Sequence, residues 1–88
     1  MTSNPILTEY AAAYGDWRAY GWTVERYGRA WILRDPDGTQ RMIANYGGLA
    51  PTQSAAILEA YARIASDAAA YAANGWTFGP DYWSRTNG

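Results

Sequence analysis

The chain has 88 residues, a net charge of −1, and neither His nor Cys. Its seven basic residues are all Arg, so imidazole bases, thiolate nucleophiles, Cys/His metal sites and lysine chemistry are excluded. Five Trp and eight Tyr stand in their place, each able to remove about 150–250 Å² from water when buried.

Asn4-Pro5 reads as a helix start, with Asn as the cap and Pro at the first helical position. Leu7, Tyr10, Tyr14, Trp17 and Tyr20 then recur at spacings of three and four, which is one face of a helix over about 5–20. Gly15 interrupts this run, as a break or as a point of close backbone approach. Gly21 is placed to end it in the left-handed conformation.

Three strands are expected next, at about 22–27, 29–34 and 39–44. Gly28-Arg29 joins the first two, and Asp35-Pro36-Asp37-Gly38 turns the second into the third. Pairing Arg34 with Thr39 would put Trp31, Leu33, Met42 and Ala44 on an apolar face against the helices. Ala30, Ile32, Arg34, Thr39, Arg41 and Ile43 would share the other. A slip of one residue would rearrange both faces.

A loop at Asn45-Tyr46-Gly47-Gly48 leads to a long helix over about 51–74, opened by Pro51-Thr52 and stopped by Asn74-Gly75. Ile57, Tyr61, Ile64, Ala68 and Tyr71 mark its apolar face, and Glu59 and Arg63 form an i, i+4 pair assigned to the solvent side. The tail, 75–88, places Trp76, Phe78, Tyr82 and Trp83 within eight residues. The segment Ala19-Tyr20-Gly21-Trp22-Thr23-Val24 echoes Ala73-Asn74-Gly75-Trp76-Thr77-Phe78, which suggests that Trp76–Phe78 adds a short fourth strand. The fold class is therefore α+β: a helix, a three-stranded antiparallel meander, a long helix and an aromatic tail, in one domain.

Little chemistry survives inspection. Gly47-Gly48 has no downstream Gly-Lys-Ser, so there is no phosphate loop. Asp35 and Asp37 fall short of a calcium ligand set and fit a turn instead. No order of the remaining acids brings two together across a groove, as glycoside hydrolysis needs. The expectation is a protein that is not an enzyme and uses no cofactor or metal.

Trp, Tyr and Arg are enriched at binding hot spots. Trp76, Phe78, Tyr82, Trp83 and Arg85 on the tail, with Arg34 and Arg41 on the sheet, are the candidate partner-binding residues. The expected partner is a protein, with a homodimer as one form. An inhibitor of a host machine such as a CRISPR effector, encoded by a phage or mobile element, matches in size and character. Two other readings compete. The helix–meander–helix order is similar in topology to double-stranded-RNA-binding domains, and Arg26, Arg29, Arg34 and Arg41, with Trp31 or Tyr27 stacking on bases, could form a basic strip. However, Pro51-Thr52-Gln53-Ser54-Ala55-Ala56 lacks the phosphate-holding cations of that family, and the net charge opposes nucleic-acid binding. A carbohydrate-binding module using the Tyr and Trp cluster is the third reading. No apolar run reaches the roughly 18–20 residues of a membrane span, and the first residues lack a basic leader, so a cytoplasmic location is expected, in the host if the protein is viral.

Overall fold

The computed structural model describes residues 5–43 and 48–80. Helix α1 spans Pro5–Tyr14, a 3-10 helix follows at Trp17–Tyr20, and strands β1 (Thr23–Tyr27), β2 (Ala30–Arg34) and β3 (Gln40–Arg41) form the sheet. Helix α2, Gln53–Ala73, closes the order. The sheet is antiparallel, arranged β1-β2-β3, and one of its faces meets α2. This is the expected α+β architecture. The expected Asn4 cap lies outside the described residues, as do Ala44 and most of the loop after β3.

The predicted first helix is divided. Gly15, at φ +81°, donates its N–H to the carbonyl of Ala11 (2.8 Å) and then turns the chain out of the helix. Asp16 caps the 3-10 helix by accepting from the Arg18 N–H at 2.9 Å, and Gly21 ends it at φ +94°. The face anticipated for one helix is nonetheless kept. Leu7, Tyr10, Tyr14 and Trp17 pack on the core, and Tyr20 is inside it.

The β2–β3 register differs from the expected one by a residue. Arg34 pairs with Gln40 and Leu33 with Arg41. Asp35 is the cause. Its Oδ1 accepts from the N–H groups of Asp37 and Thr39, both at 3.0 Å, and its own N–H donates to the carbonyl of Thr39. With Gly38 at φ +85°, the loop is a type I turn followed by a left-handed residue, which closes on Asp35 and Thr39. Ile43 consequently turns into the core and Met42 out of it, the reverse of the expectation.

Helix α2 is capped by the Thr52 hydroxyl, which accepts from the Ala55 N–H at 3.1 Å. It ends as a Schellman motif: Trp76 N–H donates to Tyr71 O and Gly75 N–H to Ala72 O, with Gly75 at φ +77°. Ala56, Ala60, Tyr61 and Ile64 are its buried residues, and the small side chains of Ala56 and Ala60 let the sheet approach closely. The Glu59–Arg63 pair is only partly solvated, because Arg63 Nη2 reaches back to donate to the Met42 carbonyl at 3.1 Å. Its Nε sits 3.0 Å from Glu59 Oε2 but is too poorly aligned to form a hydrogen bond.

The expected fourth strand does not form over residues 76–80. After Gly75 the chain is held on the helical layer by Phe78, whose ring stacks on Tyr20 (centroids 5.4 Å, 15°) and meets Tyr71 edge-on (5.1 Å, 71°). That anchoring keeps Trp76–Phe78 from pairing with the sheet. No helix among the described residues is long and apolar enough to cross a membrane.

Candidate interaction surface

Antiparallel pairing fixes which side chains share the face of the sheet turned away from α2. The partners Thr23↔Arg34, Glu25↔Ile32 and Tyr27↔Ala30, with Arg34↔Gln40, form its rows. Met42 joins them because of the register set by Asp35. Along this face runs a shallow groove of about 740 Å³, lined by Glu25, Tyr27, Ile32, Arg34, Met42 and Leu49 among others. Ile32 lies almost buried on its floor, while Tyr27 and Met42 stand 65% and 66% exposed.

An ion pair crosses the groove. Arg34 Nε donates to Glu25 Oε1 at 2.8 Å, and Arg34 Nη1 to the Gly38 carbonyl at 3.1 Å. These two bonds hold the guanidinium in one orientation. Exposed pairs of this type contribute at most about 1 kcal/mol to stability, so their effect here is on the shape and polarity of the surface.

Arg41, expected beside Arg34, is on the opposite face. Its guanidinium bonds Asp35 Oδ2 at 2.8 Å, and Asp35 is itself buried. The one-residue register difference separates the two arginines. Trp31, a stacking candidate in the nucleic-acid reading, is half-buried against the core and exchanges backbone hydrogen bonds with Ala50. Of the tail candidates, Phe78 belongs to the core periphery, whereas Trp76 is 70% exposed beside Tyr71 and Asn74 at the end of α2. Tyr82, Trp83 and Arg85 lie outside the described residues. The structure thus does not join Arg34, Arg41, Trp76 and Phe78 into one site.

Ionic pairing accounts for most of the arginines described. Arg18 pairs with Asp16, Arg34 with Glu25, Arg41 with Asp35 and Arg63 with Glu59. Arg26 bonds only the Gly28 carbonyl, at 3.1 Å, and has no carboxylate partner among the described residues, and Arg29 likewise has none. Both stand at the β1–β2 hairpin tip beside Tyr27. The hydrogen bonds from Arg18 hold the Asp16 carboxyl below its ordinary value. Burial raises that of Asp67 on α2, against the pull of Arg63 and Arg41. No three acidic groups among the described residues gather to hold a metal ion.

Met42 was hidden from sequence reasoning by the register, and Leu49 by its place in a loop. Tyr27 and Ile32 were legible, since the alternation of β1 and β2 places them on one face. The chain matches no protein-family model, no curated protein and no solved structure.

Proposed function

We propose that the chain is a non-catalytic protein-interaction domain and that the outer face of its sheet is the contact surface. The observation that carries this is the exposure of Tyr27 and Met42 on either side of a groove floored by Ile32 and crossed by the Glu25–Arg34 pair. Large apolar side chains around an oriented guanidinium are the composition of binding hot spots. Among the described residues, four of the carboxylates that could act as acids or bases (Asp16, Glu25, Asp35 and Glu59) are engaged by arginines, which argues for binding over catalysis. The same neutralisation leaves only Arg26 and Arg29 to meet phosphates among the described residues, so a protein partner is favoured over nucleic acid. An inhibitor that occludes a host machine is one form this function can take.

The test compares affinity capture from host lysate by the tagged chain, by a Tyr27→Ser/Met42→Ser variant and by Trp76→Ser. A protein captured by the wild type and by Trp76→Ser, but lost from the double variant, supports the outer face. Loss only on Trp76→Ser would move the surface to the end of α2 and overturn this reading. Nucleic acid eluting at raised salt would overturn it in the other direction.

A further inference from the structure

We infer that β1 accepts one added strand from an extended segment of a different protein, extending the contact surface proposed above, on which this inference rests. The hydrogen-bonding direction of each residue in β1 follows from two observations. The two-residue Gly28-Arg29 hairpin, with Gly28 at φ +62°, closes on a hydrogen-bonded pair, Tyr27↔Ala30. Such pairs alternate with non-bonded ones, so Arg26↔Trp31 is non-bonded. Independently, Trp31 spends both its backbone groups on the far side of β2: its N–H donates to Ala50 O at 2.9 Å and its carbonyl accepts from Ala50 N–H at 3.0 Å.

Arg26, and by the same alternation Val24, therefore direct their N–H and C=O groups away from β2. No described residue takes these groups. The opposite side of the sheet differs, because the returning chain covers it through the Trp31–Ala50 bridge and the bonds between Ile43 and Gly48. Among the described residues β1 is thus an open edge of five residues, the length of an ordinary strand.

Charge selects the occupant. A second copy pairing antiparallel along all of β1 would set Glu25 opposite Glu25, and like charges directly opposite are unfavourable. Outward groups recur every second residue, so registers change in steps of two. One such step brings Arg26 opposite Arg26, and the other removes Tyr27 from the pairing. A different chain avoids these conflicts. Among the described residues Arg26 and Arg29 have no carboxylate partner, so the complementary segment carries an acidic side chain beside Arg26 and an apolar one beside Tyr27. Main-chain bonds along the edge would supply affinity, and the alternate side chains specificity.

The experiment pans a displayed library of random linear dodecapeptides against the full chain and follows amide exchange by NMR with the strongest synthetic peptide. In the free chain, Val24 and Arg26 amides should exchange quickly while those of Glu25 and Tyr27 are protected. On binding, the first two should become protected, and selected peptides should alternate apolar residues with Asp or Glu. Arg26→Pro deletes one outward N–H and should weaken binding about tenfold or more relative to Arg26→Ala, which keeps it. No selected peptide, a bound peptide that leaves these two amides exposed, or a sedimenting dimer with both protected would overturn the inference. Edge protection that survives Tyr27→Ser/Met42→Ser would instead count against the outer-face reading, so the two failures are distinct.

Discussion

The hydroxyl of Tyr61, in the middle of α2, donates to the carbonyl of Gly15 and accepts from the N–H of Trp17 at 3.1 Å. Both backbone groups are left open where α1 breaks and the 3-10 helix begins. Tyr20 takes a neighbouring one, donating its hydroxyl to the Tyr14 carbonyl at 2.7 Å. Two phenols thus satisfy a helix break that α1 and the 3-10 helix cannot satisfy internally. The Tyr10 ring, stacked on Tyr61 at 5.4 Å and 10°, carries α1 onto the same post.

Tyr61→Phe should therefore lower stability by about 1–3 kcal/mol, since it strands two backbone groups while leaving the ring in place. Burial also raises the phenol of Tyr61 above its ordinary value, as it does that of Tyr20. A raised folded value means that this contribution is complete below the unfolded value of about 10 and is lost as pH climbs through the folded one. Urea melts from pH 8 to 11 should show the wild type weakening at the alkaline end and Tyr61→Phe weakening less steeply. Equal slopes would exclude Tyr61 as a source of the alkaline loss.

Gly38→Val should destabilise the β2–β3 hairpin by about 1–3 kcal/mol through backbone strain alone. A Cβ at this position meets nothing within 4 Å, but φ is +85°. Gly38→Asn, which tolerates that region better, should lose less. Thermal melting of the two variants decides it, and identical midpoints would reject the turn geometry.

Asp67→Asn should stabilise the protein near neutral pH. The carboxyl value is raised by burial, so the folded state prefers the neutral acid, and charging it costs stability as pH rises through the raised value. The gain should be full above that value and disappear below the unfolded value of about 3.9. Melting temperatures at pH 7 and pH 3.5 test the sign. A less stable Asn variant at pH 7 would mean that the attraction of Arg63 and Arg41 outweighs burial.

Two aromatics two residues apart should behave differently. Phe78→Ala removes a ring held by Tyr20 and Tyr71 and should cost about 1–3 kcal/mol, less than a fully buried Phe. Trp76→Ala removes a side chain 70% exposed and should change stability by less than about 0.5 kcal/mol. Chemical denaturation of both variants checks this, and equal losses would place Trp76 in the core.

The candidate surface was only half legible. Period-two alternation is enough to put Tyr27 and Ile32 on one face and to mark Arg34 as exposed there. It could not place Met42 or Arg41, because their side depends on whether the Asp35 loop closes on three residues or four. The backbone bonds to Asp35 Oδ1 decide that.

What the chain's sequence determined by itself is its local punctuation. Gly21, Gly38 and Gly75 take the left-handed conformations their positions demanded, Thr52 caps α2, and the order of helices and strands follows. Each of these depends on residues within about four positions, where steric and hydrogen-bonding rules act without reference to the rest of the chain. Only the tertiary structure decided that Gly15 breaks the first helix, since Tyr61, which satisfies that break, stands 46 positions away. It likewise decided that the second copy of the Gly-Trp-Thr pattern would not become a strand. Trp22 follows Gly21 into a hairpin that buries it, whereas Trp76 follows Gly75 onto helices already filled by Phe78. The same six-residue pattern has two outcomes because burial is set by the partners that the fold brings close.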